Sequence, residues 1–271
     1  MTSFFRKKGG AKLGQYLLTS VDIARAVVEA GSVQEKDTVL EIGPGKGMLT
    51  RELLNAKARV IAVEKDPSMV SVLKENFVEE IEKGQLVIHE EDARTFLTSQ
   101  DMPADYRVVA NIPYYITGEL IRLFLTAPTQ PRSIALLVQK EVAERIARTN
   151  KESLLSLSVK AYGTPRYVKT VKAGSFNPPP KVDSAILAID AISRDNFKDL
   201  SEEIFFTVLH AGFGQKRKTL QGNLKRAFGL GKQALDLLWE DAGLSAKVRA
   251  EDVPLRTWLH VATTIGSIRE N

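Results

Sequence analysis

The stretch TVLEIGPGKGMLTRELL, residues 38–54, reads as a strand over Thr38 to Ile42, a glycine loop, and a helix over Met48 to Leu54. Its strand is apolar without alternating in twos, the pattern of a strand covered on both faces. Arg59 to Val63 repeats that pattern and ends on Glu64. Asp66 then caps a helix through Val70, Leu73 and Phe77, with Pro67 in its first position. Strands follow at Leu86 to Ile88, Arg107 to Ala110 and Ile134 to Val138, with helices at Glu119 to Leu125, Glu141 to Ala147 and Leu154 to Ala161. Before the stretch, Thr19 or Ser20 caps a helix that runs to Gly31. The alternation predicts an α/β, Rossmann-like domain with a mostly parallel sheet. Arg166 to Val171 and Ala185 to Ile189 pair around a proline-stiffened loop, which makes the final strand antiparallel.

After Ala191 helical segments dominate: Glu203 to His210, Thr219 to Phe228, Ala234 to Trp239 and Leu255 to Thr264. The expected division is a sheet domain over 1–190 and a small all-α domain over 191–271. With 271 residues, mean hydropathy −0.13 and no cysteine, the chain reads as a cytoplasmic globular protein without disulfides or thiolate chemistry. Its three histidines lack ligand spacing, so no metal is expected. No apolar run is long enough for a membrane span, and no heptad seam points beyond a monomer.

Charge is distributed unevenly. Arg6, Lys7, Lys8 and Lys12 lie in an N-terminal stretch without an acid, and Lys216, Arg217, Lys218, Lys225 and Arg226 form a second such block. Basic blocks of this kind suit a polyanion, because each cation near a phosphate releases condensed counterions. The seven acids from Glu75 to Asp92 read as a solvated helix face.

Gly43, Gly45 and Gly47 allow a sharp turn and close approach of a ligand. Glu64, 21 residues past Gly43, stands where a carboxylate bonds a ribose diol. The third glycine comes one residue early for a pyrophosphate loop. Glu41 directly precedes the loop, badly placed for phosphate and well placed for an ammonium group. A Walker loop is excluded, since Gly47 follows Lys46 and Leu40 holds the first glycine position. These features favour S-adenosylmethionine, with a nucleotide or a ligand-free turn as alternatives. Asp92 follows a third strand and suits the amino group of the cofactor's adenine.

Asn111-Ile-Pro113-Tyr114-Tyr115 ends the fourth strand. The exocyclic nitrogen of adenine carries two N–H donors and a delocalised lone pair. The Asn111 carboxamide oxygen and the Ile112 carbonyl are two acceptors able to draw that nitrogen toward tetrahedral geometry. Tyr114 can stack on an extruded base, and Phe176 is expected to cover its opposite face.

At these residues the chain resembles the ribosomal RNA adenine N6,N6-dimethyltransferase family, whose bacterial small-subunit members dimethylate two neighbouring adenosines. The likeness covers nearly the whole chain: Lys12-x-Gly14-Gln15, Glu41 to Gly47, Glu64, Asp92, Asn111 to Tyr114, Phe176 to Ser184 and Phe213 to Leu220. It departs from the family at Tyr16-Leu17, where Asn or His then Phe is usual, and at Gln221-Gly222-Asn223. The resemblance implies S-adenosylmethionine held by Gln15, Leu17, Glu41, Gly43, Gly45, Glu64, Asp92 and Asn111. It implies catalysis by Asn111, Pro113, Tyr114 and Phe176. Ribosomal RNA of a small subunit or its precursor would be gripped by Lys12, Lys216, Arg217, Lys218, Lys225 and Arg226. Three other readings stay open: a large-subunit methyltransferase of the antibiotic-resistance type, a non-catalytic rRNA-binding assembly factor, and a nucleotide-dependent oxidoreductase.

Overall fold

In the computed structural model, residues 16–99 and 102–270 are described. Contacts divide the chain into two compact units that are not consecutive in sequence. One holds the chain up to Lys140 together with Val168–Ala188; the other holds Glu141–Tyr167 and the chain from Ile189 onward.

The first unit is built on strands β1 (Leu17–Leu18), β2 (Thr38–Ile42), β3 (Arg59–Glu64), β4 (Leu86–Glu90), β5 (Tyr106–Asn111) and β6 (Ser133–Gln139). Strands β7 (Thr164–Val171, in this unit from Val168), β8 (Phe176–Asn177) and β9 (Ser184–Asp190, in this unit to Ala188) follow. The main sheet has the order β4-β3-β2-β5-β6-β9-β7; it is mostly parallel, with an antiparallel strand toward the β7 edge. β1 and β8 form a separate antiparallel pair, Leu18 opposite Phe176. The parallel register sets Ile42 beside Val63 and Glu64 beside Glu90. The loops after β2, β3 and β4 therefore leave the sheet along one edge, where ligands of open parallel sheets collect.

Helices α1 (Val21–Ala30), α2 (Met48–Asn55), α3 (Pro67–Asn76), α4 (Val78–Glu82), α5 (Ala93–Ser99) and α6 (Thr117–Thr126) complete this unit. The Ser20 hydroxyl accepts from the Ile23 amide and starts α1, which buries Ile23, Ala24, Val27 and Val28. Asp66 caps α3 by accepting from Ser68, with Pro67 in the first turn where its missing N–H costs nothing. β4 runs two residues beyond the expected Ile88, because Glu90 still pairs with Glu64. The acidic stretch expected as a helix face holds α4, which buries none of its residues.

The second unit contains α7 (Lys140–Ala147) beyond its first residue, α8 (Leu154–Tyr162), α9 (Glu202–Gly212), α10 (Leu220–Phe228), α11 (Lys232–Asp241) and α12 (Leu255–Glu270). α7 and α8, read from sequence as part of the sheet domain, cluster here. The reason is packing: α8 lies against α9 and α12, and its Tyr162 ring sits 5.0 Å from Phe197 and 6.1 Å from Phe206. No helix among the described residues is long and apolar enough to cross a membrane.

Candidate active site

All three loop glycines have left-handed backbones, with φ of +66° at Gly43, +57° at Gly45 and +86° at Gly47. A Cβ on Gly47 would stand 2.3 Å from the Phe77 ring, and one on Gly45 would stand 2.6 Å from Leu17 Cδ2. Left-handed backbone favours glycine at both places, and at Gly47 the buried Phe77 ring also leaves no space for a side chain. The amides of the three glycines are already used: Gly43 N donates to Val63 O, Gly45 N to Glu64 Oε2 and Gly47 N to Pro44 O. A pyrophosphate needs free loop amides, so this turn is a poor phosphate cradle and a suitable floor for a phosphate-free nucleoside.

Two cavities open along the sheet edge and share Gly43, Glu64 and Pro113. The smaller, about 30 Å³, is lined by Tyr16, Leu17, Gly45, Asn111 and Ile112 besides these. The larger, about 250 Å³, reaches past Lys65, Asp92, Arg94 and Tyr115. Glu64 is only 2% exposed, and its two oxygens accept from the Gly45 and Asp66 amides. Each oxygen keeps a second acceptor site. Glu64 thus both shapes the loop and remains able to accept from a diol.

Glu41 behaves differently. It is 1% exposed, accepts from the Thr50 hydroxyl at 2.7 Å, and lines neither cavity. Burial, with the nearby Glu64 charge adding to it, pushes its carboxyl up to about 8 against the opposing Thr50 hydrogen bonds. At neutral pH it is largely a neutral acid inside the protein. The expected partnership with an ammonium is therefore corrected: adjacency in sequence put Glu41 next to the loop, but its place in β2 points it into the interior.

Asp92 lies at the larger cavity as expected, yet its carboxylate is occupied. Oδ1 accepts from the Arg94 amide at 3.0 Å and Arg94 Nε at 2.9 Å; Oδ2 accepts from Arg94 Nη2 at 2.8 Å and Lys65 Nζ at 2.9 Å. Arg94 foremost, with Lys65, holds this acid far below the usual carboxylate range. Lys65 and Arg94 were not singled out from sequence. Arg94, two residues past Asp92, was the available signal, but charged residues near an acid are common, and Lys65 lies 27 residues away.

Asn111 ends β5 with its side chain fixed: Nδ2 donates to the Tyr16 carbonyl at 2.8 Å. Only the amide nitrogen can donate there, so Oδ1 is left as the free acceptor. Tyr114 opens a short 3₁₀ turn; its hydroxyl is hydrogen-bonded to the buried Ser184 on β9. Its ring lies 5.3 Å from that of Tyr16, tilted by 34°. Burial raises the Tyr114 phenol above its ordinary range. The backbone carbonyl and ring of Tyr16 are thus site components that sequence reading noticed only as a departure from family pattern.

Phe176 is not brought to this site. It is 3% exposed, paired with Leu18, and packed in the apolar core with Val27 and Val171. The strand pair β1–β8 turns its ring inward, where the sequence reading expected it over the target base. Gln15 and Lys12 lie outside the described residues.

In the helical unit, Lys216, Arg217 and Lys218 are exposed on the turn before α10, and Lys225 and Arg226 are exposed in the last turn of that helix. The buried Asn223 side chain anchors this turn by donating to the Gly212 carbonyl at 2.6 Å and the Gln215 carbonyl at 3.2 Å. Lys216 and Lys218 border a groove of about 610 Å³, together with Arg145 and Arg249. Among the described residues there is no cluster of metal-ligating side chains.

The sequence profile of the family described as ribosomal RNA adenine dimethylase matches residues 6–266. A ribosomal RNA small subunit methyltransferase A from Dehalococcoides mccartyi is 40% identical over 95% of this chain and 89% of its own length. The protein of the same name from Deinococcus radiodurans is 39% identical over 95% of this chain and 86% of its own length. A crystal structure of a dimethyladenosine transferase from Plasmodium falciparum superposes with a TM-score of 0.75 at 28% identity, covering 90% of this chain and 95% of that one. The 23S rRNA methyltransferase ErmE shares the fold with a TM-score of 0.72 at 24% identity, covering 92% of this chain and 99% of its own.

Proposed function

This chain belongs to the ribosomal RNA adenine dimethylase family, and we propose that it transfers methyl groups to N6 of adenosines in small-subunit ribosomal RNA, dimethylating two neighbouring ones. The family's reaction uses S-adenosylmethionine, which supplies an electrophilic methyl group on a sulfonium. The floor of spent glycine amides, the Glu64 carboxylate and the acid after β4 suit the phosphate-free adenosine of that donor. Leu17, Gly43, Gly45, Glu64, Asp92 and Asn111 are the described residues assigned to hold it.

One observation carries the reading: the Asn111 amide is turned so that its oxygen faces away from the Tyr16 carbonyl that holds its nitrogen. That oxygen and the Ile112 carbonyl accept the two N–H groups of the target adenine. Drawing both donors out of the ring plane localises the nitrogen lone pair for attack on the methyl carbon. The bound donor would supply the methyl carbon and leave as a neutral thioether, and the alkylated nitrogen would then lose its proton to water. Pro113 fixes the turn after Asn111, and Tyr114 stacks on the extruded base, a contact worth about 1–3 kcal/mol. Catalysis before residue 190 and RNA docking after it belong to the same proposal. So do a monomeric state, a cytoplasmic setting, and backbone contacts from Lys216, Arg217, Lys218, Lys225 and Arg226.

The test is methylation of small ribosomal subunits that lack the modification, with products mapped by mass spectrometry. Asn111→Ala is expected to lower turnover by about 10²–10³, more than calorimetry with S-adenosylhomocysteine finds affinity lowered, since Asn111 is assigned to both cofactor and target. Retained methylation refutes the assignment. Methyl groups found only on large-subunit RNA refute the substrate, and a variant that stops subunit maturation without changing methylation favours the assembly-factor reading.

A further inference from the structure

The acid expected to read the donor's adenine has no acceptor site to spare. A carboxylate offers about four lone-pair directions. Asp92 has all four filled, three of them by Arg94 through its amide, Nε and Nη2, and one by Lys65. A purine amino group reaching Asp92 must displace one of these donors. The backbone amide is fixed by the turn into α5, and Lys65 makes a single bond. The Arg94 guanidinium is 44% exposed and bonds both Asp92 oxygens, whereas the 65% exposed Lys65 ammonium bonds Oδ2 alone, so movement of Arg94 is what opens both oxygens at once. A second acceptor already stands beside it: Glu119 Oε2 on α6 lies 4.0 Å from Arg94 Nη1 and is itself 45% exposed.

We propose that Arg94 determines cofactor affinity by competing with the adenine for Asp92, and that Glu119 receives its guanidinium when the adenine is bound. This rests on the S-adenosylmethionine reading of the same cavity and goes beyond it by assigning two residues opposite effects. Removing Arg94 frees one acceptor site on each Asp92 oxygen and tightens binding. Removing the Glu119 charge leaves the displaced guanidinium without a partner and loosens binding. A reaction that adds two methyl groups to one nitrogen must exchange spent donor for fresh donor between transfers. An arginine that returns to Asp92 favours that release.

Calorimetric titration with S-adenosylhomocysteine tests this without turnover. Arg94→Met is expected to bind about threefold to fivefold tighter than wild type, the scale of a half-exposed ion pair. Glu119→Gln is expected to bind about twofold weaker, and the double variant should match Arg94→Met because Glu119 acts only through Arg94. Raising salt should narrow the gap between wild type and Arg94→Met. An Arg94→Met protein that binds equally or more weakly would overturn the competition, since Arg94 would then be neutral or a direct ligand. A Glu119→Gln effect that persists in the double variant would overturn the parking role. A wild-type protein that binds no S-adenosylhomocysteine would overturn the cofactor reading itself, a result recognisable because no variant restores binding.

Discussion

Replacing Glu41 with glutamine should make the protein less sensitive to rising pH. The carboxyl is 1% exposed, and burial lifts it from an ordinary value of 4.5 to about 8. In the unfolded chain it ionises near its ordinary value; in the folded chain it keeps its proton until pH approaches 8. Between those values the folded state binds one more proton than the unfolded state, so stability falls as pH rises. The slope is about 1.4 kcal/mol per pH unit, and over the whole window the loss approaches about 5 kcal/mol. Below the window the group contributes no pH dependence. Glu41→Gln keeps the shape and an acceptor for the Thr50 hydroxyl but cannot ionise. Urea unfolding of both proteins, followed by circular dichroism between pH 5 and pH 8, isolates this group because every other titration is common to the pair. The stability of Glu41→Gln relative to wild type should climb steadily through that interval. Parallel curves would show that Glu41 is ionised in the folded protein, and its reading as a neutral interior acid would fail.

Two further substitutions separate packing from chemistry. Phe176→Ala should cost about 3–5 kcal/mol of stability, whereas Phe176→Leu should stay folded and methylate RNA nearly as well as wild type; a folded but inactive leucine variant would return that ring to the target base. Asn223→Ala removes the donor to the Gly212 and Gln215 carbonyls and should destabilise the helical unit by about 1–3 kcal/mol. Both tryptophans, Trp239 and Trp258, lie in that unit, so their fluorescence follows its unfolding, and an unchanged urea midpoint would show that the turn needs no such anchor.

Much of this molecule is written locally. Apolar runs of five or six residues followed by capped helices specify a covered parallel sheet, because strand and helix periodicities and caps act over only a few residues. The glycines at 43, 45 and 47 could be read as a turn with left-handed backbone, since no other residue adopts it at so little cost. Asn111 at a strand end, followed by Ile-Pro-Tyr, could be nominated for its proposed role from residue types together with the glycine loop upstream. What local pattern left open was which way each side chain faces and what already occupies it. Glu41 and Glu64 are both acids beside the glycine loop, yet only Glu64 reaches a cavity, because neighbouring strands and α2 close over Glu41. Phe176 turns inward because it pairs with Leu18, far away in sequence. The Asn111 amide is oriented by the equally distant Tyr16 carbonyl, and Asp92 is filled by Lys65 from the preceding strand's end as well as by Arg94. Apart from the local bonds of Arg94 to Asp92, these outcomes depend on contacts between segments that are apart in the chain. Folding brings such segments together, and no window of sequence contains both partners.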